Sequence, residues 1–142
     1  MFFLYIMANE AILLVETGLP IPFTVADGGA IEKGAILKST DLMTAAAGAA
    51  AEDAVAGIAA TEKIASDGVV TLGVYREGIF RVTLSGSATV GDALGIEGTS
   101  GTNYVIETHN ISGARVVGYA METGTTGQTI KMDLNIGSGN AP

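Results

Sequence analysis

At 142 residues and 14.3 kDa the chain has the size of one domain, and with 48% hydrophobic against 15% charged residues it is too apolar for a disordered segment. A formal charge of −8 argues against direct binding of DNA or RNA, whose affinity rests on clustered Lys and Arg. Twenty glycines against three prolines fit tight turns rather than a helical bundle, and zero cysteines exclude disulfides and thiolate metal sites.

The first seven residues, Met1-Phe-Phe-Leu-Tyr-Ile-Met7, are apolar, but the run ends at Asn9-Glu10. Crossing a bilayer takes about 20 apolar residues, and the basic start of a secretory signal is lacking, so neither a membrane span nor a normal signal peptide is expected. Met7-Ala-Asn-Glu is one reading of the natural start, with the first six residues as an upstream extension. The favoured reading is an extended arm over residues 1–22, followed by a β domain over 23–142. Ala11-Ile-Leu-Leu-Val15 and Gly18-Leu-Pro-Ile-Pro22 continue the arm, because each proline steers the residue before it out of the helical region. Phe2, Phe3, Leu4, Ile6, Ile12, Leu13, Leu14 and Val15 carry more apolar surface than a free tail leaves in water. They are the expected partner interface, laid on a neighbouring chain or on the domain itself.

Phe23–Ala26 alternates as a half-buried strand and stops at the turn Asp27-Gly28-Gly29; Ile31–Lys38 reads as a second strand. Thr44–Ala51 is rich in alanine and favours helix by propensity, but Gly48 costs about 1 kcal/mol and an alanine stripe buries little, so a loop with at most a turn or two of helix is expected. Val55–Ile58 returns to a strand. The plainest signal is a hairpin, Val69–Tyr75 then Arg76-Glu-Gly78 then Ile79–Leu84, with Val70, Leu72 and Val74 facing Phe80, Val82 and Leu84 across one core. Further strands are expected at Ala93–Glu97, Tyr104–Glu107, Ala114–Met121 and Thr129–Ile136. Their spacing predicts a mainly β fold, a single compact antiparallel barrel or sandwich. No repeat with a period of 20–50 residues stands out.

Asp53-Ala-Val-Ala-Gly-Ile-Ala-Ala60, the stretch Gly68–Leu84 with its Glu-Gly-Ile-Phe-Arg-Val, Val90-Gly-Asp-Ala-Leu-Gly95, Val117-Gly-Tyr-Ala-Met-Glu-Thr-Gly124 and Gly127-Gln-Thr-Ile-Lys-Met-Asp-Leu134 together resemble the small capsid decoration, or cement, proteins of tailed phages. The resemblance covers roughly residues 20–136. It implies a β-tulip-like domain that forms homotrimers on the outside of an HK97-type shell, with extended arms bridging the major capsid protein subunits. Met1–Ile6 departs from that pattern.

Candidate chemistry is sparse. His109 is the single histidine, and a zinc site needs three or four convergent ligands. Asp27, Asp67 and Asp92 lie by glycines, where a short carboxylate caps local N–H groups, and no clustered calcium loop is visible. Ser85-Gly-Ser87 lacks the G-x-S-x-G elbow, and Gly95–Gly98 and Gly124–Gly127 lack the Lys-Ser/Thr of a phosphate loop. Arg76, Arg81 and Arg115 are candidates for anchoring an acidic partner, or simply solvated charges. No catalytic residue, cofactor or metal is therefore expected. The expected role is a structural virion protein on the outer capsid surface, not an enzyme, with a self-polymerising β-rich tail, fibre or filament subunit as the alternative.

Overall fold

The computed structural model describes residues 9–97 and 103–136. Among them the chain forms eleven strands and no helix. Five of these close into a barrel: β2 (Ile21–Thr24), β3 (Ile36–Asp41), β4 (Thr44–Ala47), β5 (Val55–Ala59) and β6 (Thr71–Tyr75), in the order β2-β4-β3-β5-β6. The next five are β7 (Glu77–Leu84), β8 (Ala93–Glu97), β9 (Tyr104–Glu107), β10 (Gly118–Ala120) and β11 (Thr129–Asn135). They run β7-β11-β10-β8-β9, and β9 returns to β7 to close a second ring. The remaining strand, β1 (Ile12–Val15), is added outside that ring along β7.

The two barrels are the same structure twice. In each, the first strand pairs parallel with the third and antiparallel with the fifth, and the second strand lies between the third and fourth. The registers superpose at most paired positions, apart from bulges in β3. Thr24 faces Thr71 and Thr44, as Thr83 faces Thr129 and Tyr104. Leu37 faces Gly57 and Ala47, as Leu94 faces Gly118 and Glu107. Ile58 faces Tyr75 where Tyr119 faces Asp133. Bridges outside the strands repeat too, Ile31 with Lys63 and Ala88 with Gly124. The interiors correspond: Phe23, Val25, Leu37, Leu72 and Val74 fill the first barrel, and Val82, Leu84, Leu94, Ile130 and Met132 the second. Gly57 and Gly118 mark why so little sequence survives the repetition. A Cβ there would stand 2.1 Å from the Tyr75 carbonyl oxygen and 2.3 Å from that of Asp133, so both positions need glycine, while most others need only apolar bulk.

The barrels are fused through one shared core. Ile36, Val55 and Ile58, on the outer face of β3 and β5, pack in the same cluster as Phe80, Leu94, Ile96 and Leu134 of the second barrel. The Asn103 side chain accepts the Ile36 N–H at 3.0 Å across that seam, and the Arg76 guanidinium donates to the Ala56 carbonyl at 2.7 Å.

The all-β fold follows the sequence reading, but several details are corrected. The expected hairpin over Val69–Leu84 does not form, because a strand has two edges and both edges of β7 are taken, one by β11 and the other by β1 and β9. Leu72 and Val74 therefore face one core and Phe80, Val82 and Leu84 another, while Val70 is exposed. Thr44–Ala47 is a strand, since Ala45 fills a tight place inside the first barrel and pairing along β3 outweighs helix propensity. The expected compact β-barrel fold is present as two fused five-stranded barrels, antiparallel but for one parallel contact in each. The boundary expected after residue 22 falls inside β2, and β1 lies in the chain's own sheet: Ile12 faces Arg81, Leu13 faces Phe80 and Val15 faces Ile79. The cause is the length of β7, whose eight residues leave most of one edge open beyond β9.

Candidate interaction surface

Leu13 points from β1 into the shared core, whereas Ile12, Leu14 and Val15 stay exposed on the last strand of their sheet. The segment that follows is pinned from its own side chains: Tyr75 donates its hydroxyl to Glu16 at 2.9 Å, and Thr17 donates to Glu77 at 3.1 Å. The hydrogen bond to Glu16 and partial burial raise the Tyr75 pKa. Leu19 beyond it is 80% exposed. Phe2, Phe3, Leu4 and Ile6 lie outside the described residues.

Two further apolar patches face solvent. On the first barrel, Leu42 and Met43 in the β3–β4 turn stand beside Thr24, whose N–H donates to the Met43 carbonyl at 2.7 Å. On the second, Tyr119 and Met121 of the β10 region are exposed together with Val90. Between the barrels lies a cavity of about 660 Å³, lined by Lys33, Gly34, Ala59 and Ala60 of the first barrel, by Phe80 and Thr83 of the second, and by residues 9–13.

The polar candidates have local duties. Asp92 accepts the Thr89 N–H at 2.8 Å, and the His109 N–H donates to the Glu107 carboxylate. Asp27 and Asp67 do more than shape turns. They close around the Lys63 ammonium, which donates to Asp67 Oδ1 at 2.7 Å, Asp27 Oδ1 at 3.0 Å, the Asp27 carbonyl at 3.0 Å and the Ile64 carbonyl at 2.7 Å. The Lys63 side chain is fully buried, so four oxygens stand in for its hydration shell. Burial pulls its pKa down, but the hydrogen bonds and charges of Asp67 and Asp27 outweigh it and the net shift is upward. The same hydrogen bond from Lys63, then the Val69 N–H, lowers that of Asp67. Sequence reasoning passed over Lys63, because its partner Asp27 is distant in the chain and a lysine following Thr61-Glu62 reads as solvated. Among the described residues no group of three or more His, Cys, Asp or Glu is placed to hold a metal ion, and no helix is long and apolar enough to cross a membrane.

Two fused five-stranded barrels of one topology, each with exposed apolar side chains, define the class of β protein. No family model and no curated protein matches it. Among solved structures it is similar to the head fiber gp8.5 N base of bacteriophage phi29, at a TM-score of 0.53 and 20% identity, over 81% of this chain and 93% of that one. At that identity the likeness is one of fold.

Proposed function

We propose that the chain is a structural protein of a tailed-phage particle: a capsid decoration protein, without catalytic activity, that binds the major capsid protein on the outer surface of the head and associates with itself as a trimer. The observation that carries this reading is the fold held in common with a protein named as the base of a head fiber, which agrees with the resemblance of residues 20–136 to capsid decoration proteins. The mechanism is linkage: a protein that binds the assembled lattice and not the free subunit stabilises the shell by RT ln(1 + [L]/Kd), and repeated contacts raise the effective affinity. The acidic balance suits the outside of the head better than its DNA-facing lumen. A second reading, the base of a fibre on the head, is favoured by the neighbour's own name.

The test is electron microscopy and sedimentation of heads that lack the protein, before and after adding it back. Discrete protrusions and a higher disruption temperature are expected. Heads that neither bind it nor gain stability would sink the proposal, and a continuous fibre grown without heads would favour a self-polymerising subunit.

A further inference from the structure

The duplication supplies an internal comparison. On the first barrel, the outer face of β3 and β5 is buried against the second barrel through Ile36 and Ile58. The registers place Ala93 and Tyr119 at the same positions on the second barrel, and there Tyr119 is exposed. Around that face, Gly34 is buried and Ala60 half-buried beside the cavity between the barrels, while their counterparts Gly91 and Met121 are exposed.

The converse holds on the other side of the seam. The second barrel meets the first with Phe80, Ile96 and Asn103. The corresponding residues of the first barrel are Ile21, Ser39 and Met43, and Ile21 and Met43 are exposed apolar side chains. Each barrel thus shows water the surface that its twin buries. These are the two halves of the contact already made once within the chain.

We infer that a second copy of this chain seats the Ile21, Leu42 and Met43 surface of its first barrel on the Ala93, Tyr119 and Met121 face of the second barrel, repeating head to tail the contact that joins the barrels within one chain. The contact is heterologous, since the two surfaces differ, so it propagates around a closed ring or along a filament. Val90 and Met121, where the first barrel has Lys33 and Ala60, add apolar area on the side left for the partner. This deepens the self-association in the proposed function.

The test uses the full chain and two variants, Tyr119→Glu and Met43→Glu, each at an exposed position outside both cores. Light scattering is expected to give an assembly of about three times 14.3 kDa for the unchanged protein, and the single-chain mass for either variant with its thermal unfolding retained. An equimolar mixture of the variants keeps one intact pair of surfaces and is expected to form a 1:1 dimer. A monomeric unchanged protein, a variant that keeps the full assembly mass, or a mixture that stays monomeric would overturn the inference. Head binding is read separately by co-sedimentation, so a protein that assembles through these surfaces yet ignores the heads would refute the virion role and leave the contact standing.

Discussion

Gly34 and Gly91 hold the same place in the two barrels, with φ of +87° and +93°, yet a Cβ on Gly34 would stand 2.4 Å from the Ala11 carbonyl oxygen while one on Gly91 would meet nothing within 4 Å. The segment leading into β1 covers the first and leaves the second bare. Gly91→Ala should cost about 1–2 kcal/mol from its left-handed backbone alone. Gly34→Ala adds a backbone collision and should cost about 1–3 kcal/mol more. Urea unfolding of the two variants side by side checks the difference, and equal losses would mean that the segment before β1 gives way.

Leu37 and Leu94 are fully buried at matching positions. Truncating either to alanine should cost about 2–5 kcal/mol, because each leaves a cavity in a closed barrel. Calorimetry of the two variants is the measurement. A much smaller cost at one site would show that its barrel collapses into the space.

The Lys63 cage sets a pH window. Asp67 has its pKa lowered, so its contribution is present above the unfolded value near 3.8 and is lost as pH falls through the folded value below it. Lys63 has its pKa raised, so its contribution is present below 10.5 and is lost as pH rises through the folded value above it. Melting temperature should therefore fall at both extremes on account of this cluster. In Lys63→Met the protein should be less stable at neutral pH, with two carboxylates left facing an apolar chain, and that deficit should shrink as pH drops below 3.8. A deficit unchanged by acid would show that the charges are not its source.

Removing residues 1–8 should leave both barrels folded, whereas removing 1–22 should not, because Leu13 belongs to the shared core and Ile21 and Pro22 pair with Val74 and Gly73 in the first barrel. Circular dichroism and proteolysis of the two truncations separate these outcomes. A cooperative, protease-resistant 23–142 fragment would show that the barrel closes without the start of β2.

His109→Ala should leave stability and head binding unchanged, and Asp92→Ala should cost about 1 kcal/mol for its lost turn hydrogen bond without altering head binding. Thermal unfolding and co-sedimentation check both. Loss of head binding by either, with the fold intact, would place that side chain in the interface.

The strand faces were legible because burial repeats every second residue: Phe80, Val82 and Leu84 in β7, Ile130, Met132 and Leu134 in β11. Partners were not. Tyr75 and Ile79 are separated by a turn-like Arg76-Glu-Gly78, and only the competition for the edges of β7 shows that the chain passes there from one barrel to the next. The duplication was hidden for a related reason. Its spacing drifts from 57 residues between Gly34 and Gly91 to 61 between Gly57 and Gly118, and the glycines and leucines that match are scattered among positions where any apolar side chain of fitting volume serves. The apolar patches at Met43 and Tyr119 could not be told from core by composition, since exposure depends on which face of each barrel its twin covers.

Each barrel is continuous in the chain, the first ending at Tyr75 and the second beginning at Glu77. A ribosome therefore delivers every strand of the first barrel before any strand of the second, and domains fold as they emerge. For that interval the newborn chain carries a finished barrel whose Ile36 and Ile58 face has no cover, and β1 waits at its start for a strand not yet translated. Until the second barrel is made, copies of the newborn chain can meet through that uncovered apolar face.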